Sequence, residues 1–167
     1  MSSVVAPPRT DPVRAGHLTI HGEVARPLTL SVADLRGRWG QHEATVTFDC
    51  ATDGPQEHHF RGPLLREVME AVVPAFDPRR RKERAGFLAA FTGEDGHHAV
   101  LSWAEFDTEF GNGPILLATR MDGTELDGAG CQLVVPTDHC GARYVSAVTS
   151  VWIGRCRMPE AVRTTGG

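Results

Sequence analysis

Apolar and polar residues alternate along this chain in many short runs. In His17-Leu18-Thr19-Ile20-His21-Gly22 the period is that of a strand, with Leu18 and Ile20 on one face. Val24 extends the pattern, and Pro27-Leu28-Thr29-Leu30 predicts a second short strand. Ser31-Val32-Ala33-Asp34-Leu35 opens a short helix, with Ser31 as N-cap and Asp34 as negative charge in the first turn. Glu43 to Cys50 reads as a strand, and the turn-forming residues Ala51-Thr52-Asp53-Gly54-Pro55 follow at once. Pro63 to Val72 predicts an amphipathic helix with Leu64, Leu65, Val68 and Val72 inward and Pro63 in its first turn.

Asp77-Pro78-Arg79-Arg80-Arg81-Lys82-Glu83-Arg84 reads as a charged, solvated connector. Gly86–Phe91 and His97–Leu101 predict paired strands around the turn-rich Thr92–Gly96. Ser102-Trp103-Ala104-Glu105 has the spacing of a capping box that opens another short helix. Pro114–Thr119 and Gln132–Pro136 are apolar runs suited to strands buried on both faces, and Met121-Asp122-Gly123 turns the chain between them. Thr137–Arg143 is a polar loop, and Val145–Ile153 is the last strand. Many short strands, three short helices and no long βαβ unit predict an α+β fold with mixed β-sheets and short flanking helices. The expected organisation is a flexible tail over 1–16, a single domain over 17–157 and a second tail over 158–167.

The length of 167 residues supports one domain with a sizeable core. A net charge of −4 argues against nucleic acid as the main partner, because phosphate binding needs a basic face. The N-terminal residues lack a charged region followed by an apolar one, and no apolar run approaches the roughly 20 residues of a membrane span. The four cysteines, Cys50, Cys131, Cys140 and Cys156, form no CxxC pair. These features predict a soluble, cytoplasmic protein with reduced thiols and no membrane partner.

No GxGxxG, Walker, HExxH or GxSxG pattern is present. The candidate chemistry lies in two polar loops that follow predicted strands. The first runs from Cys50 to Arg61 and carries Asp53, His58, His59 and Arg61; the second carries Asp138, His139, Cys140 and Arg143. Cys50, at the end of a strand and facing a turn, is placed as a reactive thiol or metal ligand is placed, against the alternative of an inert core cysteine. His58 and His59 are adjacent, so on an extended segment their rings point to opposite sides, and surface imidazoles are the simpler reading. Arg61 and Arg143 are candidate anion contacts or ordinary surface arginines. Zinc on Cys50, His139 and Cys140 is an alternative. Cys131 and Cys156 read as core or strand-end thiols.

In order, these segments resemble the molybdopterin-binding domain of the sulfite oxidase family. The resemblance is carried by Leu18–Pro27 with Leu30–Leu35, by Val46–Cys50 with Phe60-Arg61-Gly62-Pro63-Leu64-Leu65, and by Leu116–Leu126, Leu133–Pro136 and Gly141-Ala142-Arg143-Tyr144-Val145. It spans about residues 17 to 155. The resemblance implies a molybdopterin-dependent oxidoreductase domain or subunit, with Cys50 as the molybdenum ligand and Arg143 contacting the anionic cofactor or an oxyanion substrate. Asp53, His58, His59, Arg61, Asp138 and His139 become the candidate cofactor contacts. A small oxyanion substrate and an electron-transfer protein are the implied partners. Phe60 stands where the family usually has Trp, Arg143 where it commonly has Lys, and Ala51-Thr52-Asp53-Gly54 departs from its usual loop. A cofactor-free binding or assembly module of the same fold is the other reading, and Cys50 is expected at the rim of a pocket shared with the Thr137–Arg143 loop.

Overall fold

The computed structural model describes residues 16–50 and 52–159, with Cys50 described by its backbone only. The expected tails therefore lie almost wholly outside the described residues. Three sheets share one hydrophobic core.

The largest sheet has five strands: β1 (His17–Gly22), β2 (Leu28–Ser31), β5 (Phe87–Gly93), β6 (His98–Ser102) and β11 (Val148–Arg155), in the order β2-β1-β11-β5-β6. β1 and β11 run parallel and the other pairs antiparallel, so the two ends of the domain meet at its centre. Strict alternation sets the faces: Phe87, Ala89 and Phe91 of β5 are buried, as are Ala99 and Leu101 of β6.

A four-stranded sheet has the order β3-β4-β8-β9, with β3 at His42–Cys50, β4 at Gly54–Gly62, β8 at Arg120–Met121 and β9 at Thr124–Glu125. β7 (Leu116–Ala118) and β10 (Gln132–Val134) form a two-stranded sheet buried at every position. The helices are short: α1 (Val32–Arg38), α2 (Leu65–Ala71), α3 (Arg81–Arg84) and α4 (Trp103–Phe106).

The caps follow the sequence. Ser31 Oγ accepts from the Asp34 N–H at 3.0 Å, and Asp34 Oδ2 accepts from the Ser31 N–H at 2.9 Å. The Ser102 N–H likewise donates to Glu105 Oε2 at 2.8 Å. Asp122 and Gly123 have φ of 47° and 81°, positive at both centres of the β8–β9 turn, as the tight hairpin from Met121 to Thr124 requires.

Five expectations need correction. The stretch from Gly54 to Arg61 is not a loop; it is most of β4, paired with β3 in an unbroken register from His42↔Gly62 to Cys50↔Gly54. Its polar composition reflects an arm whose outer face is exposed. Helix α2 starts at Leu65 with Leu64 as its cap, so Pro63 precedes the helix rather than forming its first turn. Val24 does not continue β1; it bridges to Pro74 beyond the Gly22 turn. Val145 pairs with Leu133 as a separate bridge, and β11 begins only at Val148, after Ala147 takes φ of 47°.

The basic run is not a solvated connector throughout. Arg81–Arg84 is helical, and Arg84 is buried. Arg84 Nη1 donates to the buried Asp107 at 3.0 Å, and Arg84 also pairs with Glu109. Trp103 Nε1 donates to the same Asp107 carboxylate at 3.0 Å. Removing one partner of such a buried pair strands the other's charge. Arg84→Ala is therefore expected to cost about 3 kcal/mol in urea unfolding. A cost below about 1 kcal/mol would show the pair to be solvated.

Val73, just past α2, holds φ at 53°, a conformation that strains a β-branched residue and suits glycine. It is 43% exposed, so little packing is lost on truncation. Val73→Gly is expected to stabilise the domain by about 1 kcal/mol, read as a higher urea midpoint at constant slope.

Candidate functional site

The β3–β4 hairpin carries the residues that the sequence singled out. Cys50 ends β3 at the register position opposite Gly54, two beyond Phe48, and Asp53 is exposed in the turn. The side chain of Cys50 and the whole of Ala51 lie outside the described residues, so the accessibility expected for the thiol lies outside them too.

One face of the hairpin is aromatic. Phe48 lies 5.1 Å from Tyr144 and 5.9 Å from His58 between ring centroids, and Phe60 lies 5.7 Å from Tyr144. The Tyr144 hydroxyl donates to Gln132 Oε1, and burial together with the Asp122 charge pushes its pKa up to about 12. A Cβ on Gly141 would lie 3.1 Å from the Phe48 ring. The Thr137–Arg143 segment thus packs against the hairpin close to its Cys50 end. The two polar segments singled out in the sequence are neighbours in space.

The adjacent histidines part as an extended strand demands. His58 turns to the aromatic face and is half-buried, while His59 is exposed on the opposite face. His59 Nδ1 is 2.9 Å from Thr45 Oγ1. His58 Nδ1 is 2.7 Å from Asp122 Oδ2, and Asp122 Oδ1 accepts the His59 backbone N–H at 2.9 Å. A bond to an ionised carboxylate requires the proton on Nδ1. Sequence reasoning missed this dyad, because its carboxylate comes from a turn 64 residues further on.

Arg143 is fully engaged. Its Nε and Nη2 donate to Asp138 at 2.9 and 2.7 Å, and Nη1 donates to Glu105 Oε1 at 2.7 Å. These hydrogen bonds, Asp138 first and Glu105 second, raise its pKa further above the usual arginine range. The same Glu105 carboxylate caps α4 through Ser102, so one side chain ties the helix start to the loop. Arg143, the expected anion contact, is thus held in an ion triad with Glu105 and Asp138. His139 and Cys140 are exposed beside it. Arg61 is exposed on the outer face of β4. Burial pushes the Cys131 thiol up to about 12, which suits an inert core cysteine, while Cys156 is exposed just beyond β11.

Among the described residues, no group of three or more His, Cys, Asp or Glu side chains is arranged to hold a metal ion. Among the same residues, no helix is long and apolar enough to cross a membrane.

The family described as oxidoreductase molybdopterin binding domain matches residues 5–160, and the chain belongs to it. Among solved structures, the sulfane dehydrogenase SoxCD from Paracoccus pantotrophus has the same fold, with a TM-score of 0.62 and 21% identity over 82% of this chain. The match covers 37% of the SoxCD chain, so this protein corresponds to little more than a third of it. No curated protein sequence matches.

The Asp122 carboxyl is held below its ordinary value, first by the His59 N–H and then by the His58 ring. A depressed folded pKa gives stability that is present above the unfolded carboxylate value and is lost as pH falls through the folded one. Acid titration of stability is therefore expected to show a loss beginning below about pH 4 that is smaller in Asp122→Asn. An unchanged acid slope in the variant would remove Asp122 from the account.

Proposed function

We propose that the chain is a molybdopterin-dependent oxidoreductase domain or subunit, with Cys50 as the protein ligand to molybdenum. The supporting observation is the meeting of two segments: the Cys50 end of β3 packs beside the Gly141–Tyr144 stretch through Phe48. A thiolate donor is the soft ligand that such a metal takes, so the residue type at position 50 fits the group. When bound, the cofactor supplies the oxygen-atom and two-electron chemistry of the reaction. In the proposed reaction a small oxyanion gains oxygen from water, two protons leave to solvent and two electrons pass to a separate electron-transfer protein.

The chain's own residues take narrower roles. Arg143 positions the loop between Glu105 and Asp138 rather than offering its charge to an anion. Asp53, in the hairpin turn, and His139, beside Asp138, are exposed and are the polar groups we assign to the cofactor. His58 is oriented by Asp122 on the aromatic side of the hairpin. We place the protein in the cytoplasm, without nucleic-acid or membrane partners; its Cys131, Cys140 and Cys156 are free thiols.

The same geometry favours a second reading. With Arg143 neutralised by two carboxylates, a cofactor-free binding or assembly module of this fold has a specific observation behind it.

Metal analysis separates the two. Protein made in a host that synthesises the cofactor is expected to carry molybdenum and extractable pterin in near-stoichiometric amounts, both greatly reduced in a folded Cys50→Ser variant. Wild-type protein free of molybdenum and pterin supports the module, and zinc alone supports the Cys50–His139–Cys140 alternative.

A further inference from the structure

The outer face of β4, opposite the aromatic cluster, carries an unusual pair. Arg61 and Arg120 are directly opposed in the antiparallel β4–β8 register. Directly opposed side chains start from Cβ atoms about 5 Å apart, and like charges there repel. Arg120 bends aside: its Nε donates to the Gly123 carbonyl at 3.1 Å and lies 3.6 Å from Glu125. Glu125 is already held by Arg36 at 2.6 Å, and Arg36 also takes Asp127 at 2.9 Å. Among the described residues, the Arg61 guanidinium has no hydrogen-bond or ion-pair partner.

Two hollows flank the pair. One, of about 240 Å³, is lined by Thr45, His59, Arg61, Arg120 and Gly123, with Glu43 also on its wall. The other, of about 130 Å³, is lined by Arg61, Arg120, Arg36, Gln41, Thr119 and Glu125. Arg61 and Arg120 are common to both, so a group seated between the hollows meets both guanidinium forks. Glu43 stands opposite Arg61 on β3 without forming an ion pair with it.

We propose that Arg61 and Arg120 form a binding site for a small tetrahedral oxyanion of the sulfate or phosphate class. Planar guanidinium forks match such oxygens, and a bridging dianion converts the repulsive pair into two charge-assisted contacts. The sheet positions both arginines from rigid strands, which limits the ordering cost of binding. The site lies on the other face of β4 from the Cys50 proposal and does not rest on it: residues 57, 59 and 61 alternate with the inward 58, 60 and 62.

The test is calorimetric titration of the full chain at low ionic strength with inorganic phosphate, sulfate and glycerol phosphate, with no requirement for molybdenum. Saturable binding is expected for the wild type. Arg61→Gln and Arg120→Gln, each confirmed folded by circular dichroism, are expected to weaken it by about tenfold or more. Glu43→Gln is expected to tighten it, because a carboxylate on the wall of the hollow opposes an anion. Without added anion, Arg61→Gln is expected to raise the melting midpoint by relieving the repulsion. Tighter binding of glycerol phosphate assigns the site to a phosphate monoester, and tighter binding of the inorganic ions assigns it to a free oxyanion. Absence of saturable binding to folded wild type, or affinity unchanged in both arginine variants, overturns the proposal.

Discussion

The four-stranded sheet meets the two-stranded one where the chain passes Gly62. A Cβ at that position would lie 2.2 Å from the Leu117 carbonyl oxygen and 2.7 Å from the Ala118 Cα, so only glycine permits the approach. Because the backbones come this close, Leu117 N–H donates to the Pro63 carbonyl at 3.1 Å and Thr119 N–H donates to that of Arg61 at 2.8 Å. Leu64 then bridges to Leu116 and caps α2. The hairpin that carries Cys50, His58 and Arg61 is therefore anchored at its base by Gly62, and further along by the β8 pairing and the Asp122 and Tyr144 contacts. The glycine in Phe60-Arg61-Gly62-Pro63-Leu64-Leu65, part of the family resemblance, has a steric cause.

From that clamp the hairpin develops two chemically different faces. Inward, Phe48, Phe60 and Tyr144 supply apolar contact, and His58 adds a polar edge oriented by Asp122. Outward, Thr45, His59 and Arg61 are exposed. The neighbouring Thr137–Arg143 segment is held by charge rather than by apolar burial: the Glu105–Arg143–Asp138 triad ties it to the start of α4. Partly exposed ion networks of this kind set position more than they add stability. A guanidinium held by two carboxylates is a framework group.

Much of this was legible in the sequence. The alternation of β1, β5 and β6, the Ser31–Asp34 and Ser102–Glu105 caps and the Asp122-Gly123 turn are local features, and local chemistry decides them. The juxtaposition of Cys50's strand with the Gly141–Tyr144 stretch came through the family resemblance. What stayed hidden depends on distant pairing. Gln56-Glu57-His58-His59 lacks strand-like apolar alternation, because the β4 arm buries only its base. Arg84 looked solvated within a basic run, yet a carboxylate 23 residues away buries it. The Arg61–Arg120 opposition and the Arg143 triad exist only through sheet register and loop packing.

The central claim is that position 50 delivers a sulfur ligand to molybdenum. Molybdenum-edge X-ray absorption on the cofactor-loaded chain tests it most directly. The expected result is a sulfur shell that includes a cysteinyl ligand beyond the sulfurs of the cofactor, and its loss in Cys50→Ser. A sulfur shell identical in wild type and variant would contradict it.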